Sequence, residues 1–231
     1  MISKLLIPVL VFLITSFGFG QNAGFFGSPL SSVEYNNTLV EADAFDGSNL
    51  GTVSSLVLNG GEIRTFKDSG TNVTGAFINY RIYETSSTLG SFIEESIDFD
   101  SNLGGTDQLW KSSGLDIDLI SGLGAGDYKF EVFFRISVTG CCGDEVFQSN
   151  SGFNYTADFS LKLYETAQDG NWNDTSTWVG GSVPLSVSEV KINHDVTLNV
   201  DAEVSVLTIT SGNTLTSENG QGRILTIRDG G

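Results

Sequence analysis

Proline occurs three times, cysteine twice, and histidine and methionine once each in 231 residues. The single histidine weighs against chemistry that needs an imidazole. A Ser-His-Asp triad or a zinc site would need His194, which sits in the turn-like stretch INHDVTL beside Asp195 with no nucleophile or ligand cluster attending it. A solvated turn residue is the better reading. No GxSxG, HExxH, P-loop or complete EF-hand spacing occurs, so nothing marks the chain as an enzyme. Basic residues are scarce as well. Eleven Lys and Arg face 28 Asp and Glu, for a formal net charge of −17, which gives no electrostatic reason to bind nucleic acid or anionic lipid. Helix is missing too. No stretch sustains an apolar period near 3.6, and 28 glycines favour turns.

The two cysteines are adjacent, Cys141 and Cys142. Neighbouring residues can close only a small strained ring, because the usual Cα separation of a disulfide exceeds the ~3.8 Å between neighbours. A vicinal disulfide and an incidental loop pair both remain open readings.

The first 20 residues stand apart. Lys4 is the only charge before Gln21, an apolar run follows from Leu5 to Phe17, and Gly18 and Gly20 occupy the −3 and −1 positions of a cut before Gln21. This is the three-part pattern of a secretory signal peptide, residues 1–20. The run is shorter than the ~20 apolar residues of a membrane span, and no other stretch is as apolar. We expect a secreted, extracellular protein with no membrane span after cleavage.

Alternation with a period of two dominates the rest. In YKFEVFFRISV, residues Tyr128, Phe130, Val132, Phe134 and Ile136 share one face, and Lys129, Glu131, Phe133 and Arg135 the other. FNYTADFSLKLY alternates likewise, and the two segments read as adjacent antiparallel strands. VSSLVL, GEIRTFK, GAFINYRIYE, SFIEESIDF and LDIDLI read as further strands. Leu123, Gly126 and Tyr128 have the spacing of a tyrosine corner, in which a strand-start tyrosine bonds back to upstream backbone. About seven to nine strands with turns between them predict a β-sandwich of immunoglobulin-like or jelly-roll type over residues 21–165.

Residues 166–231 have another texture: short β-branched runs, EVKIN, DVTLNV, VSVLTIT, NTLTS and RILTI, with LTI recurring at 207–209 and 225–227. These predict a cap and the first coils of a right-handed parallel β-helix. The chain supplies about two coils where at least about three are needed, so we expect the natural protein to continue beyond Gly231. At the junction lies GNWNDTSTWVGG. Its indoles, Trp172 and Trp178, are expected to plug the open first coil rather than clamp a sugar.

Two groups of residues are candidates for binding. Asp98, Asp100, Asn102 and Asp107 in DFDSNLGGTDQLW open like a calcium loop, D-x-D-x-N, without the glycine and distal glutamate of an EF-hand. Ca²⁺ is the one cofactor this pattern suggests, and a solvated acidic turn is the competing reading. Trp110, at the end of that loop, and Phe133, on an otherwise polar strand face, could stack on sugar rings or pack beneath loops.

The stretches LNGGEIRTFKDSGTNVTGAFINYRIYE, LWKSSGLDIDLISGLGAGDYKFEVFF and GDEVFQSNSGFNYTADFSL, followed by GNWNDTSTWVGGSVP, resemble the N-terminal region of large secreted surface proteins of Bacteroidetes. The resemblance implies a β-sandwich leading into a β-helix, in proteins that commonly end in a type IX secretion sorting domain. It implies no activity. The family carries an asparagine pair before its last sandwich strand. The matching SNSGFNY keeps amides at Asn150 and Asn154, which join the candidate ligand contacts.

The function expected from all this is a secreted or cell-surface, non-catalytic module for adhesion or glycan binding. Its partner would be an extracellular glycan or cell-surface matrix, met by the loops at residues 98–110 and 140–155. Two alternatives are the targeting segment of a polysaccharide-degrading β-helix enzyme and a structural spacer.

Overall fold

A computed structural model describes residues 23–26, 31–140, 143–186, 188–218 and 220–227. The N-terminal segment expected to be a signal peptide, residues 1–20, and the Cys141–Cys142 pair lie outside the described residues. The architecture is all-β. Among the described residues, no helix is long and apolar enough to cross a membrane.

Among the described residues, twelve strands precede Lys162: β1 (Ala23–Phe25), β2 (Ser32–Tyr35), β3 (Thr38–Glu41), β4 (Ser48–Thr52), β5 (Val57–Lys67), β6 (Asn72–Glu84), β7 (Ile93–Ile97), β8 (Phe99–Gly104), β9 (Asp107–Asp118), β10 (Gly126–Thr139), β11 (Glu145–Gln148) and β12 (Tyr155–Leu161). They form two six-stranded sheets. The first runs β3-β2-β5-β9-β8 with β1 also on β5; the second runs β4-β12-β10-β6-β7 with β11 also on β10. One core joins them, with Val33, Leu58, Ile63 and Trp110 from the first sheet against Ile78, Phe130, Val132, Phe134 and Phe159 from the second. The arrangement is consistent with a β-sandwich. A single helical turn, α1 (Ala42–Phe45), drops Phe45 into this core, 5.2 Å edge-on from Phe130.

Several strands differ from the sequence expectation, for local reasons. LDIDLI is not a separate strand, because its first four residues are the far end of β9. SFIEESIDF is divided at Asp98 into β7 and β8, which belong to different sheets. The extra strands come largely from residues 23–52. There, Asn36 and Asn37 take left-handed φ of 46° and 59° and turn β2 into β3 with Tyr35 opposite Thr38. That is the two-residue hairpin turn asparagines favour. Gly60 sits at a bulge between β5 and β9, where a Cβ would lie 1.9 Å from the Ser112 carbonyl oxygen, so no side chain fits.

The tyrosine-corner bond is made. The Tyr128 hydroxyl donates to the Gly124 carbonyl at 2.9 Å, and the ring stacks on Phe159 at 5.4 Å.

Eight short strands follow: β13 (Leu163–Glu165), β14 (Gly170–Asn171), β15 (Glu189–Ile192), β16 (Val196–Leu198), β17 (Ala202–Val204), β18 (Val206–Ile209), β19 (Leu215–Ser217) and β20 (Leu225–Ile227). They pair in parallel as three stacks, β13-β15-β18, β14-β16-β19 and β17-β20. The two LTI runs do not stack on each other. Leu207–Ile209 lies beside Val190–Ile192, and Leu225–Ile227 beside Ala202–Val204, so their spacing is not the pairing register. A second core fills this region: Tyr164, Trp172, Trp178, Val190, Ile192, Val196, Leu198 and Val204. Both tryptophans are only 2% exposed, with rings 5.1 Å apart and nearly perpendicular, and Trp178 Nε1 donates to the Trp172 carbonyl at 2.7 Å.

Polar side chains join one pass of the chain to the next. Asp169 Oδ1 accepts from the Asp195 amide, Asp195 Oδ1 from the Thr214 amide, and Asp201 Oδ1 from the Ile224 amide, at 2.8 to 3.0 Å. Asn199 donates to Asn173 Oδ1 at 2.6 Å. His194 is half-buried, with Nδ1 3.0 Å from the Thr166 carbonyl, so it ties the turn down rather than facing solvent. Lys162 alone separates β12 from β13, and Glu189 Oε2 accepts from the Ala125 amide at 2.8 Å, fixing the second region to the tyrosine-corner loop.

Two stability changes are expected. Tyr128→Phe leaves the Gly124 carbonyl without its donor and should cost about 1–2 kcal/mol in urea unfolding; an unchanged midpoint would show that the bond is idle. Trp178→Ala removes a buried ring and its hydrogen bond, with an expected loss of about 3–5 kcal/mol. Limited proteolysis should then cut first within residues 163–227, and cleavage starting instead in residues 31–161 would contradict that placement.

Candidate functional site

The outer face of the second sheet carries the densest set of unusual side chains. Strand β10 is central, and alternation sends Lys129, Glu131, Phe133 and Arg135 outward. Pairing with β6 sets these opposite Tyr83, Arg81, Asn79 and Phe77. On the other side β12 places Asp158 beside Lys129 and Thr156 beside Glu131, while β11 places Phe147 beside Arg135. On β7, Glu94 lies beside Asn79.

Aromatic and guanidinium groups form a continuous track across this face. Phe147 and Phe133 have ring centroids 6.2 Å apart, and Phe133 and Phe92 4.8 Å apart. The Arg81 guanidinium lies 4.2 Å over Phe92 and 5.3 Å over Tyr83. Arg135 lies 3.9 Å over Phe77. Phe147 is 53% exposed, and Phe92, Phe133 and Tyr83 are half-buried, so the track reaches solvent along its length.

Every cation on the face has a carboxylate. Arg81 meets Glu131 at 2.8 Å, with side chains only 15% and 6% exposed. Arg135 meets Glu94 at 2.7 Å and Glu145 at 2.6 Å. Lys129 meets Asp158 at 2.5 Å. Glu131 would be costly to bury unpartnered, and Asn154 Nδ2 completes its shell at 2.6 Å from Oε1. The Arg135 hydrogen bonds hold the Glu94 carboxyl below the usual carboxylate range against the opposing effect of burial, with Asn79 helping. Burial, then the charge of Glu131, pushes the Tyr83 phenol up.

The residues singled out in the sequence separate. Phe133 and Asn154 belong to this face. Asn150 holds the neighbouring loop, with its amide donating to Asp46 Oδ2 at 2.8 Å and to the Asn154 carbonyl at 3.2 Å. That loop keeps Asn150, Ser151 and Asn154 at positive φ and carries Phe153, 82% exposed. Trp110 is not a surface ring. It is 6% exposed in the core, and its Nε1 donates to Thr65 Oγ1 at 3.1 Å. Its place on a strand facing inward removes it as a sugar contact.

The four candidate calcium ligands are distributed over a hairpin. Asp98 precedes β8, Asp100 and Asn102 lie on it, and Asp107 starts β9, across the hairpin. Asp98 Oδ2 accepts from Ser112, and Asp100 Oδ2 from Ser101. Among the described residues, no group of three or more His, Cys, Asp or Glu is placed to hold a metal.

Strand alternation in the sequence sets Arg135 beside Phe133 on the outward face, but does not by itself single out Phe92, Phe147, Arg81 or Glu94. The alternation rule that set Phe133 outward, applied to GAFINYRIYE, puts Phe77, Asn79, Arg81 and Tyr83 on one face. Phe92 and Phe147 needed the strand pairing. Compared with protein-family models, with curated proteins and with solved structures, the chain matches none.

The lowered Glu94 pKa carries a sign. A depressed folded pKa stabilises the protein above the unfolded value, about 4.3, and that contribution disappears as pH falls through the folded value. Urea midpoints should therefore drop between pH 5 and pH 3 more steeply for the native chain than for Glu94→Gln; equal slopes would show that Arg135 does not favour the ionised form.

Proposed function

We propose that the chain is the binding part of an exported, cell-surface protein, a non-catalytic module that holds extracellular glycan on the outer face of its second sheet. The aromatic track through Phe147, Phe133 and Phe92 carries this reading. Aromatic ring faces and edges pack against the C–H faces of sugars and exclude water. The ion pairs beneath them fix the rings without mobile charge, so little ordering cost remains at binding. Export rests on the Lys4, Leu5–Phe17 and Gly18/Gly20 pattern at the N-terminus.

In this reading residues 21–165 are an immunoglobulin-like or jelly-roll sandwich, and residues 166–231 are the cap and first coils of a right-handed parallel β-helix. The three parallel stacks support the second assignment. So does the likeness to Bacteroidetes surface proteins. A spacer role is favoured by a different observation: the single-residue junction at Lys162 and the Glu189–Ala125 bond leave no flexible linker between the two regions. The two roles are compatible, since a stiff arm presents a binding face away from the cell.

A glycan array probed with the exported chain tests the binding role. Retention is expected, and Phe133→Ala should reduce it about tenfold or more, equivalent to roughly 1.4 kcal/mol. A variant that binds as well as the native chain would move the site off this face, and an array without retention would leave the spacer role.

A further inference from the structure

We infer that the track takes the interior of a linear, uncharged polysaccharide, several sugar residues at a time; this rests on the glycan reading above. Length comes first. The contacts pass from Phe147 on β11 through Phe133 on β10 to Arg81 on β6 and Phe92, the residue leading into β7. The ring-to-ring steps of 6.2 Å and 4.8 Å carry the aromatic surface across more than one strand spacing of about 4.8 Å, longer than one sugar ring. It crosses the strands on the open face of a sheet, a shape that suits a chain lying across it.

Charge selects among polymers. Three cations, Arg81, Arg135 and Lys129, meet four carboxylates, Glu131, Glu94, Glu145 and Asp158. The guanidiniums already donate to these carboxylates, so a uronate or sulfate group would have to displace an internal partner and leave a carboxylate unpaired. The whole chain, at −17, also repels a polyanion at low salt. A cationic polymer finds the same carboxylates occupied. What remains for a ligand is phenyl rings, guanidiniums lying over rings and amides, the groups that receive a neutral sugar by packing and hydrogen bonds.

Isothermal titration of the exported chain tests this with two-unit and six-unit cello-, xylo-, manno- and laminari-oligosaccharides and with polygalacturonate. In at least one neutral series the six-unit ligand should bind about tenfold or more tighter than the two-unit ligand. Phe147→Ala, at an exposed ring, should narrow that ratio while leaving the unfolding midpoint unchanged. Polygalacturonate should bind more weakly than the neutral six-unit ligand. Equal affinity for two and six units, or tightest binding to polygalacturonate, overturns the inference while sparing the glycan reading. Absence of binding to every carbohydrate overturns both.

Discussion

The alternation of strand β10 is the constraint on which the molecule depends. Its inward residues, Tyr128, Phe130, Val132, Phe134 and Ile136, are all buried in the main core. Its outward residues, Lys129, Glu131, Phe133 and Arg135, organise the opposite face. A slip of one residue would exchange the two sets, placing two cations and a carboxylate in the core. Three strands pin the register: β6 along most of its length, and β12 and β11 in succession on the other side. The tyrosine corner starts the strand by tying Tyr128 to Gly124. Core and outer face are therefore not independent, because the packing that fixes one fixes the other.

The outer face shows why its charges are paired so closely. Phe92, Phe133 and Phe147 cover polar groups that would otherwise be hydrated, and Glu131 is 4% exposed although it points away from the core. A carboxylate that dry is tolerated because Arg81 and Asn154 satisfy it. The same arginine lies over Phe92 and Tyr83, so one side chain neutralises the buried acid and contacts the rings. Arg135 repeats the device with Glu94, Glu145 and Phe77. The rings stand on an ionic lattice, and their positions follow from it.

This explains how much is readable from the chain alone. Period two identifies β10 and β12 and sorts their faces, because each side chain's burial follows from its own strand. It also flags Phe133 as an apolar residue on a polar face. It does not show Phe92 or Phe147 as neighbours of Phe133, because those contacts come from non-local pairings with β7 and β11. Trp110 misleads for a related reason. It follows a polar loop in sequence, yet β9 turns it inward beside Ile63 and Thr65. The acids from Asp98 to Asp107 read as one loop in sequence, whereas pairing divides them between β8 and β9 of a hairpin with two register shifts. The LTI recurrence misleads in the same way, since composition repeats where pairing does not.

The second region poses a packing problem that the two tryptophans solve. Two stacks hold three strands each, but the third holds only β17 and β20. The first pass of the chain, from β13 and β14, supplies no strand to it. Instead a short 3-10 turn, Thr175–Thr177, folds the chain back, and its N-cap Asp174 accepts from the Ser176 amide at 2.9 Å. Trp172 and Trp178 share one buried cluster with Val196, Leu198 and Val204, and the indole N–H of one bonds to the backbone of the other, so the pair closes on itself without needing a distant acceptor. Two rings buried this deeply cannot also clamp a sugar. The exposed aromatic surface of the protein lies instead on the outer face of the second sheet, on the far side of the strand that begins at the tyrosine corner.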